Sequence, residues 1–231
     1  MLTLENVRIE LGEFHLSADL SVAAGATVAI IGPSGAGKST LVNTIAGFID
    51  PASGHIQWGG HDLAGLAPGE RPMSIIFQDS NLFPHLSVFQ NVALGLRPSL
   101  RLNQGERGQV AAALVQVGLD SLQDRKPAAL SGGQQSRVAL ARILARARPL
   151  LLLDEPFSAL GPAMRNEMLD LVAELVAANG ATLLMVTHDP KDALRIASQT
   201  ILVADGTAHP PQATQDLLTN PPQVLADYLG V

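Results

Sequence analysis

A short apolar run, Thr27 to Ile31 (TVAII), leads without interruption into GPSGAGKST, Gly32 to Thr40, and no other stretch of the chain restricts its fold as strongly. The spacing G-x-x-x-x-G-K-[ST] is met by Gly32, Gly37, Lys38 and Ser39. It requires a buried strand that delivers a loop with inward-facing backbone N–H groups, and a helix whose positive N-terminus faces the same point. Such a cradle suits a phosphate chain: Lys38 reaches the β- and γ-phosphates, the Ser39 hydroxyl binds Mg²⁺, and Gly35 and Gly37 permit an approach that a Cβ would block. The expected nucleotide contacts are Gly32, Pro33, Ser34, Gly35, Ala36, Gly37, Lys38, Ser39 and Thr40. The alternative, a chance glycine-rich turn, is disfavoured by the strand–loop–helix order.

An acidic strand end is the natural counterpart of that loop, and LLLLDEP, Leu150 to Pro156, supplies one. Asp154 is expected to hold Mg²⁺ through water, and Glu155 to polarise the water that attacks the γ-phosphate. Taken alone, the same two acids also read as a solvated pair capping the next element.

The rest of the chain fits a parallel sheet wound with helices. Leu2 to Ile9 and Phe14 to Val22 alternate as strands, while Ser74 to Phe77, Leu150 to Leu153 and Thr182 to Val186 are short β-like runs. Apolar residues between Pro162 and Asn179 recur at the spacing of one helix face, and Gly180 stops that helix. From Pro84 to Arg146 the pattern is helical, with stretches over Val88–Leu94, Glu106–Val117 and Ser131–Arg146, and a further short helix is expected over Pro222–Leu229. The segment RPSLRLNQGE reads as a connection. A single unit of 231 residues follows, with an α/β core over 1–83 and 147–231 and a helical insertion over about 84–146. Hydrophobic residues make up 47% but aromatics only 3%, so Leu, Val, Ile and Ala must build the core.

Composition also narrows function. The chain has no cysteine, which removes disulfides, thiolate nucleophiles and Cys-ligated zinc. A net charge of −6 disfavours nucleic acid as a partner. No run of eighteen uncharged apolar residues is present, and the N-terminus lacks a basic region before an apolar stretch, so the chain is expected to stay inside the cell. The histidines other than His188, among them His15, His61, His85 and His209, show no ligand spacing.

Between the loop and the acidic strand lies LSGGQ, Leu130 to Gln134. Ser131 reads as an N-cap, and the two glycines leave the helix N-terminus bare enough to face an anion. With these motifs in this order, the sequence resembles the ATP-binding cassette family. The resemblance implies a P-loop NTPase fold with a parallel-sheet core, an N-terminal antiparallel β subdomain and an inserted α-helical subdomain. It implies ATP and Mg²⁺ as cofactors, and a homodimer in which Ser131, Gly132, Gly133 and Gln134 bind the γ-phosphate held by the second copy. By the same resemblance Gln78 senses Mg²⁺ and the attacking water, so that Ser39, Gln78 and Asp154 surround the metal. His188 then holds Glu155 and the water in line.

Three departures from the family pattern stand out. After LSGGQ come Gln135, Ser136 and Arg137, where the family has Arg-Gln-Arg. Gly161 replaces the aspartate that contacts the facing subunit. Leu11 occupies the place of an adenine-stacking aromatic, and Phe14 serves only if the local register shifts.

The chain is most similar to importer ATPases, and within them to the thiamine-import branch, through NLFPHLSVFQNVALGLRPSLRLN, AGFIDPASG, DEPFSALGPAMRNEML and LLMVTHDPKDALRIA. That resemblance implies ATP-driven uptake of thiamine or its phosphates through a membrane permease, indirect partnership with a periplasmic solute-binding protein, and a peripheral place on the cytoplasmic face of the bacterial inner membrane. Ferric iron, polyamine, sulfate or sugar remain as other cargoes. A P-loop kinase has no use for LSGGQ, and cassette ATPases of DNA repair carry long insertions and basic faces. Leu82, Phe83 and Phe89, within Asp79 to Val92, either clasp a permease helix or are core of the insertion.

Overall fold

The computed structural model of the chain describes residues 1–78 and 81–230. The first elements are β1 (Leu2–Leu11), β2 (Phe14–Val22), β3 (Thr27–Ile31), α1 (Lys38–Ala46), β4 (Ser53–Trp58), β5 (His61–Asp62) and β6 (Met73–Ile76). Three helices follow: α2 (Val88–Ala93), α3 (Gln104–Gln116) and α4 (Gly132–Arg146). The chain then returns through β7 (Leu150–Asp154), α5 (Pro162–Asn179), β8 (Thr182–Val186), α6 (Pro190–Ile196), β9 (Gln199–Ala204), β10 (Thr207–Ala208) and β11 (Gln212–Ala213), and ends with α7 (Thr214–Thr219) and α8 (Gln223–Leu229).

One sheet runs in the order β5-β4-β1-β2-β10-β9-β3-β8-β7-β6, with β11 on β9. The stretch β9-β3-β8-β7-β6 is parallel throughout. The pairs β1–β2, β1–β4 and β4–β5 are antiparallel. Parallel strands are covered on both faces, which is why β7 and β8 read as unbroken apolar runs.

Successive side chains of these strands enter two different cores. Val28 and Ile30, Leu150 and Leu152, and Leu184 and Val186 pack with the antiparallel strands and with Leu41, Val42 and Ile45 of α1. Ala29 and Ile31, Leu151 and Leu153, and Leu183 and Met185 pack with α4, α5 and the other helices. Each fully buried Leu contributes about 1.5–3 kcal/mol, so a chain with so few aromatics builds both cores from aliphatic alternation.

Local signals set the helix ends. Ser87, Asn103 and Ser131 each form a reciprocal capping box with Gln90, Glu106 and Gln134. The box at Asn103 starts α3 at Gln104, two residues before the expected Glu106, so the end of RPSLRLNQGE is helical rather than a connection. Strand β6 lies one residue earlier than expected. Strand β9 adds to the strands expected from the sequence. Its apolar run Ile201–Ala204, closed by Asp205-Gly206, carries an ordinary strand signature and inserts between β3 and β10.

Candidate active site

The loop after β3 is held by close packing that only glycine permits. A Cβ on Gly32 would lie 2.0 Å from the Val203 carbonyl oxygen on the neighbouring β9. Gly37 has φ 102°, and a Cβ there would meet the Phe14 ring at 2.5 Å. Phe14 pairs with Leu11 across the β1–β2 turn, and the register shift in this hairpin falls between Leu4 and Val7 instead. Phe14 thus backs the loop while Leu11 stays exposed.

Lys38 opens α1 and points into the loop, where its Nζ donates to the carbonyls of Gly32 and Pro33, each at 2.8 Å. Burial pulls its pKa down from the usual lysine value, and the charges of Glu155 and Asp154 oppose that shift. Next to it Ser39 Oγ donates to Asp154 Oδ1 at 2.9 Å. Asp154, only 8% exposed, has its pKa raised, first by burial and further by Glu155, against the Ser39 hydrogen bond and the Lys38 charge. A hydroxyl and a carboxylate held together beside a lysine are hard oxygen donors of the kind Mg²⁺ takes, so these residues fit the ion.

Glu155 follows at the strand end with φ 46°, a left-handed conformation costly for a non-glycine residue. Its N–H donates to Val186 O at 3.2 Å, which ties the turn to the end of β8. Two residues past Val186, His188 Nδ1 lies 3.0 Å from Glu155 Oε2. A carboxylate only accepts, so Nδ1 carries the proton in this pair.

The structure therefore brings Lys38, Ser39, Asp154, Glu155 and His188 to the C-terminal ends of β3, β7 and β8. Gln78 makes no hydrogen bond to that cluster among the described residues. It follows β6, whose Ile76 pairs with Leu153, and it is exposed, lining a groove with Gly132, Gln135, Pro156 and Leu160. Ser131 caps α4 by accepting from Gln134 N at 3.3 Å. Among the described residues no hydrogen bond joins Ser131–Gln134 to Gly32–Thr40. The nonstandard triplet after LSGGQ has its own tasks. Gln135 donates to the carbonyls of Pro127 and Leu130, Ser136 to Gly132 O, and Arg137 to Val117 O while pairing with Glu167. Gly161 precedes α5 with ordinary φ −65° and open space around it.

Leu82 and Phe83 line a groove of about 490 Å³ with Ile75, Ile76, Phe77, Ala139, Arg142 and Ile143. Phe89 packs against the core instead. Asp79 and Ser80, which belong to the same expected docking segment, lie outside the described residues. Asn91 pins the groove's rim: its amide donates to the carbonyls of Phe83, Leu86 and Ser87, and its Oδ1 accepts from Phe83 N at 2.8 Å and Arg142 Nη2 at 3.0 Å. No sequence signal marked Asn91 or Arg165, the latter joining the Glu155 and His188 loops.

The family model described as ABC transporter matches residues 16–158. The thiamine import ATP-binding protein ThiQ of Cereibacter sphaeroides is 58% identical over 230 residues, covering 100% of both chains. The protein of the same name from Ruegeria sp. is 56% identical over 230 residues, again covering 100% of both. A solved dimeric structure of a post-hydrolysis ATP-binding cassette bound to ADP and Pi superposes with a TM-score of 0.79 at 32% identity, covering 93% of this chain and 99% of that one.

Proposed function

The chain belongs to the ABC transporter family, and from that premise we propose that it is the ATP-hydrolysing subunit of an importer that takes up thiamine through a membrane permease. The observation that carries the reading is the convergence of Lys38, the Ser39–Asp154 pair and the Glu155–His188 pair at one sheet edge. The cargo rests on whole-length similarity to thiamine import ATP-binding proteins.

ATP lies with its phosphates in the Gly32–Thr40 loop, where backbone N–H groups and Lys38 meet their charge. Ser39 and Asp154 would hold Mg²⁺, which would supply charge neutralisation at the β- and γ-phosphates; Gln78, on the groove beside Pro156, would join them only by moving toward the bound nucleotide. Glu155 accepts a proton from water as its oxygen attacks the γ-phosphorus; the bond to the β–γ bridging oxygen breaks, and ADP and phosphate leave. His188, donating from Nδ1, keeps the Glu155 carboxylate aimed at that water.

Ser131, Gly132, Gly133 and Gln134 make no hydrogen bond to their own loop among the described residues, which supports their serving ATP held by a second copy, and the similar cassette bound to ADP and Pi is itself dimeric. The unit divides into a nucleotide-binding core, 1–83 and 147–231, and a helical part over about 84–146. Between them the Leu82–Phe83 groove suits a permease helix. Phe83 is 46% exposed there, and Phe48, 53% exposed, stacks edge-on against Phe77 of the same groove. Isolated large apolar side chains are common on surfaces, but a clustered aromatic rim marks an interaction site. No described helix is long and apolar enough to cross a membrane. By its likeness to importer ATP-binding proteins, the chain sits peripherally on the cytoplasmic face through its permease, with the periplasmic binding protein an indirect partner.

The test is uptake of labelled thiamine in a strain lacking this chain. Restoration by the wild type but not by Glu155→Gln supports the reading. Undiminished uptake in the deletion strain sinks the cargo assignment.

A further inference from the structure

The loops bearing Glu155 and His188 leave neighbouring strands, and one side chain from α5 touches both. Arg165 Nη2 donates to the Ser158 carbonyl at 3.4 Å, while its Nη1 donates to Asp189 Oδ2 at 3.3 Å and lies 3.8 Å from Asp192 Oδ2. Ser158 turns back to the first loop, donating from N and Oγ to the Glu155 carbonyl at 3.3 and 3.1 Å. On the other side Thr187 Oγ1 donates to Asp192 Oδ2 at 2.9 Å and accepts from Asp189 N at 3.1 Å, so His188 sits between two anchored neighbours. The Arg165 side chain is only 15% exposed. With Glu155, Thr187 and His188 it lines a cavity of about 10 Å³, room for one water molecule, and its Nε is buried with no partner among the described residues.

We propose that Arg165 is a positioning residue that locks the Glu155 loop to the His188 loop and so maintains the contact between the two reacting side chains. The proposal rests on the reading of Glu155 and His188 as the hydrolytic pair. A left-handed glutamate persists only where its surroundings over-determine it, and the chain Glu155–Ser158–Arg165 provides that restraint. The guanidinium is suited to the task because its planar fork donates in several fixed directions, whereas an ammonium is a point charge that reaches one loop at a time. An exposed ion pair would add little. Here the carboxylates are pre-aimed, Asp189 by its bond from Lys191 N and Asp192 by Thr187.

Steady-state ATP hydrolysis by Arg165→Met, Arg165→Lys, Asp192→Asn and Glu155→Gln tests this, with each Tm measured alongside. Arg165→Met is expected to lower kcat about tenfold, since small misplacements of reacting groups are costly, and to leave KM for ATP within about twofold. Arg165→Lys should recover part of the loss, and in a His188→Ala background Arg165→Met should cost nothing further. Wild-type kcat in Arg165→Met, or a loss that is undiminished without His188, overturns the proposal. Should Arg165→Met fail to fold, the isosteric Asp192→Asn carries the test: lowered kcat at near wild-type Tm supports the lock, and wild-type kcat refutes it. Full activity of Glu155→Gln would instead remove the hydrolytic pair itself, and the proposal with it.

Discussion

Ser39 Oγ donates to Asp154 Oδ1 at 2.9 Å, joining the first turn of α1 to the end of β7 across 115 positions of sequence. The bond holds two oxygen donors together at the cost of a buried carboxylate whose pKa burial raises. An acid with a raised folded-state pKa binds more protons folded than unfolded. Stability is therefore lost as pH rises from the ordinary carboxylate value through the raised one, and stays lost above it. Asp154→Asn keeps the acceptor and the volume but not the charge. Without nucleotide, the variant is expected to be more stable than the wild type above that window, and to converge with it in acid, while Mg²⁺-dependent hydrolysis disappears. Unfolding midpoints across pH check this; an asparagine variant less stable at neutral pH would contradict it.

Glu155→Gln keeps the shape of the side chain and removes its basicity. Hydrolysis should fall about 10²- to 10⁴-fold, the range of a lost general base, while ATP binding survives. Size-exclusion chromatography with ATP should then show a stable dimer. Full turnover would overturn the base assignment.

Gly161→Asp introduces a side chain at a helix N-cap where the backbone already has φ −65° and nothing lies within 4 Å of the new Cβ. Aspartate exceeds glycine as a cap by only a few tenths of a kcal/mol, roughly, so a small rise in Tm is expected. The ATPase rate should rise or stay unchanged. A large fall would mean that the glycine is an adapted feature.

Asn91 is fully buried with every amide position engaged, so Asn91→Ala leaves Phe83 N and Leu86 O without their partners and takes one hydrogen bond each from Phe83 O, Ser87 O and Arg142. The expected cost is about 2–4 kcal/mol, a fall in Tm of ~5–15 °C for a chain of this size. Calorimetry reads it directly, and an unchanged Tm would show the amide to be dispensable.

Much of this was readable before folding because it is encoded locally. Lys38 and Ser39 are set by their glycines, Ser131 announces its helix through Gln134, and β3, α5 and β8 match their expected bounds. What was not readable depends on long-range packing. Thr187, Asp192 and Arg165 look in sequence like ordinary solvated positions, and only the approach of α5 to the β8 end makes them a network. The expected start of α3 falls two residues late because Gly105 and Gly108 weaken the helical pattern around its capping box, while the apolar run and Asp-Gly turn of β9 are an ordinary local signature.

The left-handed backbone at Glu155 sets stability against turnover at a single position. Glycine would occupy φ 46° without strain, gaining about 1–3 kcal/mol by that release. A library of this chain sorted for heat resistance alone would therefore enrich Glu155→Gly and discard the group that activates water.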